Sequence, residues 1–128
     1  MEAQEKAPHA PIIGHRSLTE AQLDLINRIK AKGLELMQLF EEVAVSCQDE
    51  GNALWAETQN AETRLKGAQL AQEESAIALA TEQLETAQHA FMRFQIAEGM
   101  RWASIGRTDI QTGVMALVRA VAQPDSLI

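Results

Sequence analysis

Cysteine occurs once in the 128 residues, at Cys47, tyrosine is absent, and aromatic residues make up only 4%. A single cysteine excludes a disulfide framework and any thiolate metal site within one chain, and it fits a reducing compartment. On its apolar helical face Cys47 reads as a small core residue. Few aromatics beside much Ala, Leu, Gln and Glu favour helix over sheet. Proline is confined to positions 8, 11 and 124, so nothing from Ile12 to Gln123 breaks a helix by that route. All-β and doubly wound folds are thereby nearly ruled out. Apolar runs such as Val114 to Val118 fall far short of the roughly 20 residues a membrane span requires. The N-terminal stretch carries no apolar core of a signal peptide. A soluble, cytoplasmic protein is expected.

What is present is a hydrophobic fraction of 46%, enough for a real core. Small helical chains often complete such a core by oligomerising. The net charge of −7 argues against binding duplex nucleic acid, which needs a basic footprint. Its distribution says more. Residues 1–40 hold five acids and five bases, residues 41–98 eleven acids against Arg64, Lys66 and Arg93, and residues 99–128 two acids and three bases. The acidity belongs to the middle, which leaves room for a compact anionic ligand where the two ends of the chain meet.

Residues 1–14, with Pro8, Pro11 and Gly14, read as a mobile arm ahead of a single helical domain over 15–128. Ser17-Leu-Thr-Glu20 has capping-box spacing. Leu25, Ile29, Leu36, Phe40, Val43 and Cys47 then form an apolar stripe at helical spacing. Gly33 interrupts it at a cost of about 1 kcal/mol against alanine, which suggests close approach by a helix or a ligand. Gln48-Asp-Glu-Gly51-Asn52 reads as the clearest turn, and a weaker helix through Leu54, Trp55, Ala61 and Leu65 leads to Gly67. From there Leu70, Ile77, Leu84 and Phe91 repeat every seven residues, with Ala80, Ala87 and Phe94 in the second heptad position. Gly99 is expected to end this helix. A last helix, from about Arg101 to Ala122, carries Trp102, Ile105, Ile110, Val114, Leu117 and Val121 on one face.

No phosphate loop, dinucleotide fingerprint, HExxH or GxSxG occurs, and the histidines at 9, 15 and 89 are scattered. Acid pairs such as Glu41-Glu42 and Glu73-Glu74 read as solvated faces. No constellation for catalysis, metal or cofactor emerges. Two segments depart from plain amphipathic helix. One is His15-Arg16, with Arg28, Lys30 and Lys32 further on; isolated lysines there read most simply as a solubilising face. The other is Arg101 to Gly113, where Arg, Thr, Gln and two glycines replace the Leu and Ala of a packing helix. Gly106 and Gly113, seven apart, strip one face twice. Either a helix crosses tightly there, or a donor-rich groove at a subunit interface holds a planar anion.

At these residues the chain resembles the second family of phage anti-CBASS proteins. The likeness rests on His15-Arg-Ser-Leu-Thr-Glu, on Leu25-Ile-Asn-Arg-Ile-Lys30-Ala-Lys-Gly33, and on the long segment from Arg101-Trp-Ala-Ser-Ile-Gly-Arg-Thr to Pro124. Members are small helical sponges for the cyclic oligonucleotide messengers of bacterial immunity. The resemblance implies an all-α protomer of long antiparallel helices in a symmetric oligomer, a hexamer, working without catalysis in the cytoplasm of an infected bacterial host. It also implies that cyclic dinucleotides such as cyclic GMP–AMP bind in pockets between protomers, with cyclic trinucleotides at separate sites.

Position 15, where the family carries a base-stacking aromatic, is histidine here, preceding Arg16. Lys30 matches a lysine near the phosphates, and Arg101, Trp102, Arg107 and Thr108 match further ligand contacts. The sequence departs at Val114, where relatives tend to have Phe, and over residues 48–98, an acidic stretch longer than the expected connection and read as an insertion. The rival readings are a structural helical oligomer or adaptor of a phage, and a sponge for cyclic ADP-ribose-type signals. Uptake and intact release of a cyclic oligonucleotide separates them.

Overall fold

In a computed structural model, which describes residues 17–123, every element is helical: α1 (Glu20–Ala71), α2 (Glu74–Ala97) and α3 (Gly99–Ala122). No helix among these residues is long and apolar enough to cross a membrane. The arm expected over 1–14 lies outside the described residues.

Helix α1 is 52 residues long, and a capping box starts it. The Gln22 amide donates to Thr19 Oγ1 (3.1 Å), while the Thr19 amide donates to Gln22 Oε1 (2.8 Å). This reciprocal pair satisfies two of the amide donors that a helix start leaves open. The sequence reading placed the box two residues early, at Ser17 and Glu20. Thr19-Glu-Ala-Gln22 has the same spacing, and it wins because the helix begins at Glu20.

The expected turn at 48–52 does not form; α1 runs straight through it and through Gly67. The local Asp-Glu-Gly-Asn signal is overruled by packing, because a Cβ on Gly51 would lie 2.9 Å from the Phe94 ring. The glycine is there to let that ring rest on the backbone, within a helix. The actual reversal falls at Gln72–Glu73, where no glycine or proline announces it. Gln72 adopts φ 56°, its amide donates to the Gln69 carbonyl (3.1 Å), and the Glu73 amide donates to the Ala68 carbonyl (3.4 Å). These two bonds make a Schellman ending with glutamine in the left-handed position. Helix α2 ends similarly at Glu98 (φ 53°), and Gly99, expected to close that helix, instead opens α3.

The chain divides into two units, one comprising residues up to Leu39 together with those from Gly106, the other Phe40–Ile105. In the second unit, α1 and α2 pair antiparallel. Arg64 Nε donates to Gln83 Oε1 (2.9 Å), Trp55 packs against Phe91 with ring centroids 5.4 Å apart, and Phe94 covers Gly51. The pairs step back along α1 as they step forward along α2. Small residues line the seam: Thr58, Ala61, Ala80 and Ala87 are buried, and Thr58 satisfies its hydroxyl on the Leu54 carbonyl at 3.0 Å. Of the expected α2 heptad, Ile77, Leu84 and Phe91 turn inward, but Leu70 belongs to α1 and is 86% exposed.

In the first unit, the start of α1 packs against α3 at Gly33, where an added Cβ would meet Val114 Cγ2 at 2.6 Å. The close approach inferred from Gly33 is thus made by a helix of the same chain. The inward line of α1 is only partly the one expected. Ile29, Phe40 and Cys47 are covered as expected, whereas Leu25, Leu36 and Val43 are exposed. The covered line includes Ile26, Gly33, Phe40, Cys47, Leu54, Ala61 and Ala68, a strict seven-residue repeat. Likewise α3 turns Ala103, Ile110, Val114, Val118 and Val121 inward while Trp102, Ile105 and Leu117 stay exposed. Both helices carry more apolar surface than the protomer covers.

Candidate ligand-binding residues

The residues singled out from the sequence fall into three groups. His15 and Arg16 lie outside the described residues. Lys30, Arg107 and Thr108 stand exposed in the first unit, Lys30 on α1 and the other two on α3. Arg101 and Trp102 stand exposed on α3 in the second unit.

Lys30 differs from the bases beside it. Arg28 Nε pairs with Asp24 at 3.0 Å, and Lys32 Nζ lies 3.6 Å from Glu35. Both pairs are intrahelical, at i,i+4 and i,i+3, so each neighbouring charge already has a counter-ion. Lys30 has no such partner among the described residues, because positions 26, 27, 33 and 34 are Ile, Asn, Gly and Leu. Its position on α1 is one heptad before Met37 and two before Ala44, at the edge of the covered stripe. Its ammonium is therefore available to an anion from outside the protomer.

Arg101 and Trp102 form a stacked pair. The guanidinium carbon lies 5.6 Å from the indole centroid, and Nη1 bonds Glu98 Oε1 at 3.2 Å. With the guanidinium fixed by a carboxylate and by a ring, this pair offers a flat cationic surface. Trp102 is 61% exposed, so one indole face is open to a planar group.

Gly106 and Gly113 bear on the choice left by the sequence. Nothing lies within 4 Å of a Cβ built at either position. A tight crossing by another described helix of this chain is excluded, and the stripped face of α3, flanked by exposed Arg107, Thr108, Gln111 and Thr112, stays open. Among the described residues no group of three or more His, Cys, Asp or Glu side chains is placed to hold a metal ion.

The family model for the Acb2/Tad1 hairpin domain matches residues 7–122. The chain belongs to this family. Anti-CBASS protein 2 of Pseudomonas phage JBD67 is 40% identical over 117 residues, covering 91% of this chain and 94% of that protein. Residues 48–98, set apart in the sequence as an addition to the family's plan, lie inside the span that the family model matches. In the structure they form the end of α1 and all of α2, the two arms of a helical hairpin.

The sequence missed Trp55, which lies half-exposed beside Phe91 and Phe94 in the second unit. A signal existed: Gly51 precedes it by one helical turn, and a glycine beside a tryptophan at i,i+4 marks a place where another ring, here Phe94, packs on the backbone. The supposed turn at 48–52 hid it.

Proposed function

We propose that this protein binds cyclic oligonucleotide second messengers and holds them without turnover, silencing CBASS signalling in the cytoplasm of an infected bacterium. The observation that carries this reading is Lys30, a cation without a counter-ion among the described residues, between two that have one. Family membership and the printed name of the JBD67 relative give it direction. A cyclic dinucleotide presents two phosphate charges and two flat bases. Lys30, Arg107 and Arg16, which follows His15 in sequence, supply charge-assisted contacts to phosphate, and Thr108 is a neutral donor. Trp102, backed by Arg101, offers a stacking face, and His15 stands where the family stacks an aromatic on a base.

The pockets are completed by further copies of the chain. Seventeen large apolar side chains are exposed among the described residues, including Leu25, Leu36, Leu39 and Leu117 in the first unit. Monomers rarely leave that much apolar surface uncovered. A symmetric oligomer, a hexamer in this reading, presents each donor twice from one sequence and so matches a two-fold ligand. Cyclic trinucleotides occupy separate positions where protomers converge.

The experiment is depletion and release. Purified protein is mixed with a panel of cyclic di- and trinucleotides and removed by filtration, then heated, and the released nucleotide is analysed. Uptake followed by intact release is expected. An altered product would mean turnover, and no uptake would overturn the reading in favour of a structural helical oligomer.

A further inference from the structure

Each of the three helices ends on a residue in the left-handed region: Gln72 (φ 56°), Glu98 (φ 53°) and Gln123 (φ 44°). That conformation strains an L side chain, and glycine adopts it freely. Between α2 and α3 a glycine is present but one position further on. Gly99 lies inside α3, where an added Cβ would come 3.0 Å from Cys47 Sγ, so close packing fixes the glycine there. Glutamate is left to carry the strain of the turn. Unlike Gln72 and Gln123, Glu98 has a side-chain partner among the described residues: Arg101 Nη1 donates to its Oε1 at 3.2 Å. Its main-chain carbonyl also accepts the Trp102 amide at 3.1 Å. One residue thus holds both members of the Arg101–Trp102 pair.

We propose that Glu98 is a positioning residue, which orients Arg101 so that Trp102 can receive a nucleobase. This role rests on the messenger reading above and adds to it the residue that orders one stacking face. A free arginine on a helix surface samples many rotamers, and ordering it on binding costs entropy. Tied to Glu98, the guanidinium lies 5.6 Å from the indole centroid before any ligand arrives. Its charge is matched by the carboxylate, so the pair suits a flat, uncharged purine or pyrimidine better than a phosphate. Three simpler roles for Glu98 fail. As a helix end, glycine would serve with less strain. As a stabilising ion pair, it is half-exposed, as is Arg101, and such pairs contribute little. As a charge, it stands beside the site of an anion and opposes binding. What remains is the orientation of Arg101.

Calorimetric titration of the full-length chain with cyclic GMP–AMP tests this, because the sign of the effect separates the roles. Glu98→Gly relieves the left-handed strain and should melt at or above the parent in circular dichroism. It should nevertheless bind about fivefold or more weakly, since Arg101 is released from the stacking face. Glu98→Gln keeps an oxygen acceptor at the same reach and should recover most of the affinity. A Trp55→Phe background leaves Trp102 as the one tryptophan. There the nucleotide should quench the indole fluorescence, and quench it less at saturation once Glu98→Gly is added. If Glu98→Gly binds as tightly as the parent, or more tightly, the positioning role is wrong and Glu98 is a helix end or a mere charge. Glu98→Gln binding as weakly as Glu98→Gly would overturn it too, and Glu98→Ala gives the same comparison should the glycine variant fail to fold. A parent that takes up no cyclic GMP–AMP overturns the messenger reading and this role together; a parent that binds, with Glu98→Gly binding equally, overturns this role alone.

Discussion

Gly33 and Gly67 sit in the same helix, yet alanine should act oppositely at the two positions. At Gly67 nothing lies within 4 Å of the new Cβ. Gly67→Ala therefore gains helix propensity alone, about 0.8 kcal/mol. At Gly33 the same gain is set against a methyl placed 2.6 Å from Val114 Cγ2. Val114 cannot swing aside cheaply, since a β-branched side chain in a helix has one strongly preferred rotamer. Overpacking of this kind costs about 1–3 kcal/mol, so the net loss for Gly33→Ala is roughly 1 kcal/mol. The two variants should differ by about 2 kcal/mol in total. Thermal melts followed by circular dichroism should place Gly67→Ala above the parent and Gly33→Ala below it, by about 4–8 °C per kcal/mol. All samples need one protein concentration, because self-association shifts the midpoint. Val114→Ala in the Gly33→Ala background removes the clashing methyls, and a double-mutant cycle should return a favourable coupling of about 1 kcal/mol or more. If Gly33→Ala melts as high as Gly67→Ala, the two helices do not meet at Gly33.

Further outcomes follow from named side chains. Thr19→Ala should cost about 1 kcal/mol in a urea melt, and Ser17→Ala much less, since the capping bonds run through Thr19. Lys30→Ala should weaken dinucleotide binding by about 1.5–3 kcal/mol in calorimetry without moving the melting temperature; unchanged affinity would return it to a solvated face. Arg64→Ala should lower stability by less than about 1 kcal/mol, because its bonds to Glu57 and Gln83 are solvent-exposed. Dinucleotide affinity should rise as pH falls from about 8 to about 6, since protonating His15 adds a positive charge beside the phosphates, and His15→Tyr should flatten that profile. Identical profiles for the two proteins would remove His15 from the ligand.

The residues thought to hold ligand were readable as types and not as a constellation. The segment around Lys30 and the run from Arg101 to Thr108 stand out from plain amphipathic helix in the sequence alone. Intrahelical pairing then separates Lys30 from Arg28 and Lys32; the spacing to Asp24 and Glu35 that makes the difference is present in the sequence, and the placed side chains show both pairs formed. Trp55 went unread because a local turn signal competed with it.

The sequence by itself determined that the protein is helical and placed the apolar heptad of α2. Absent prolines, abundant helix formers and the heptad of Ile77, Leu84 and Phe91 are local properties, and local hydrogen bonds suffice to express them. Tertiary structure decided three other things. It kept α1 helical through Gly51, because the Phe94 ring occupies the space a side chain would need. It moved the reversal from Gly67 to Gln72, where the Schellman bonds close the helix without a glycine. And it chose Ile26 and Gly33 over Leu25, Leu36 and Val43 to join Phe40 and Cys47 on the inward line. Apolar residues on adjacent sides of a helix are equivalent until a second helix arrives, and its side chains, here Val114 against Gly33, fit only one side.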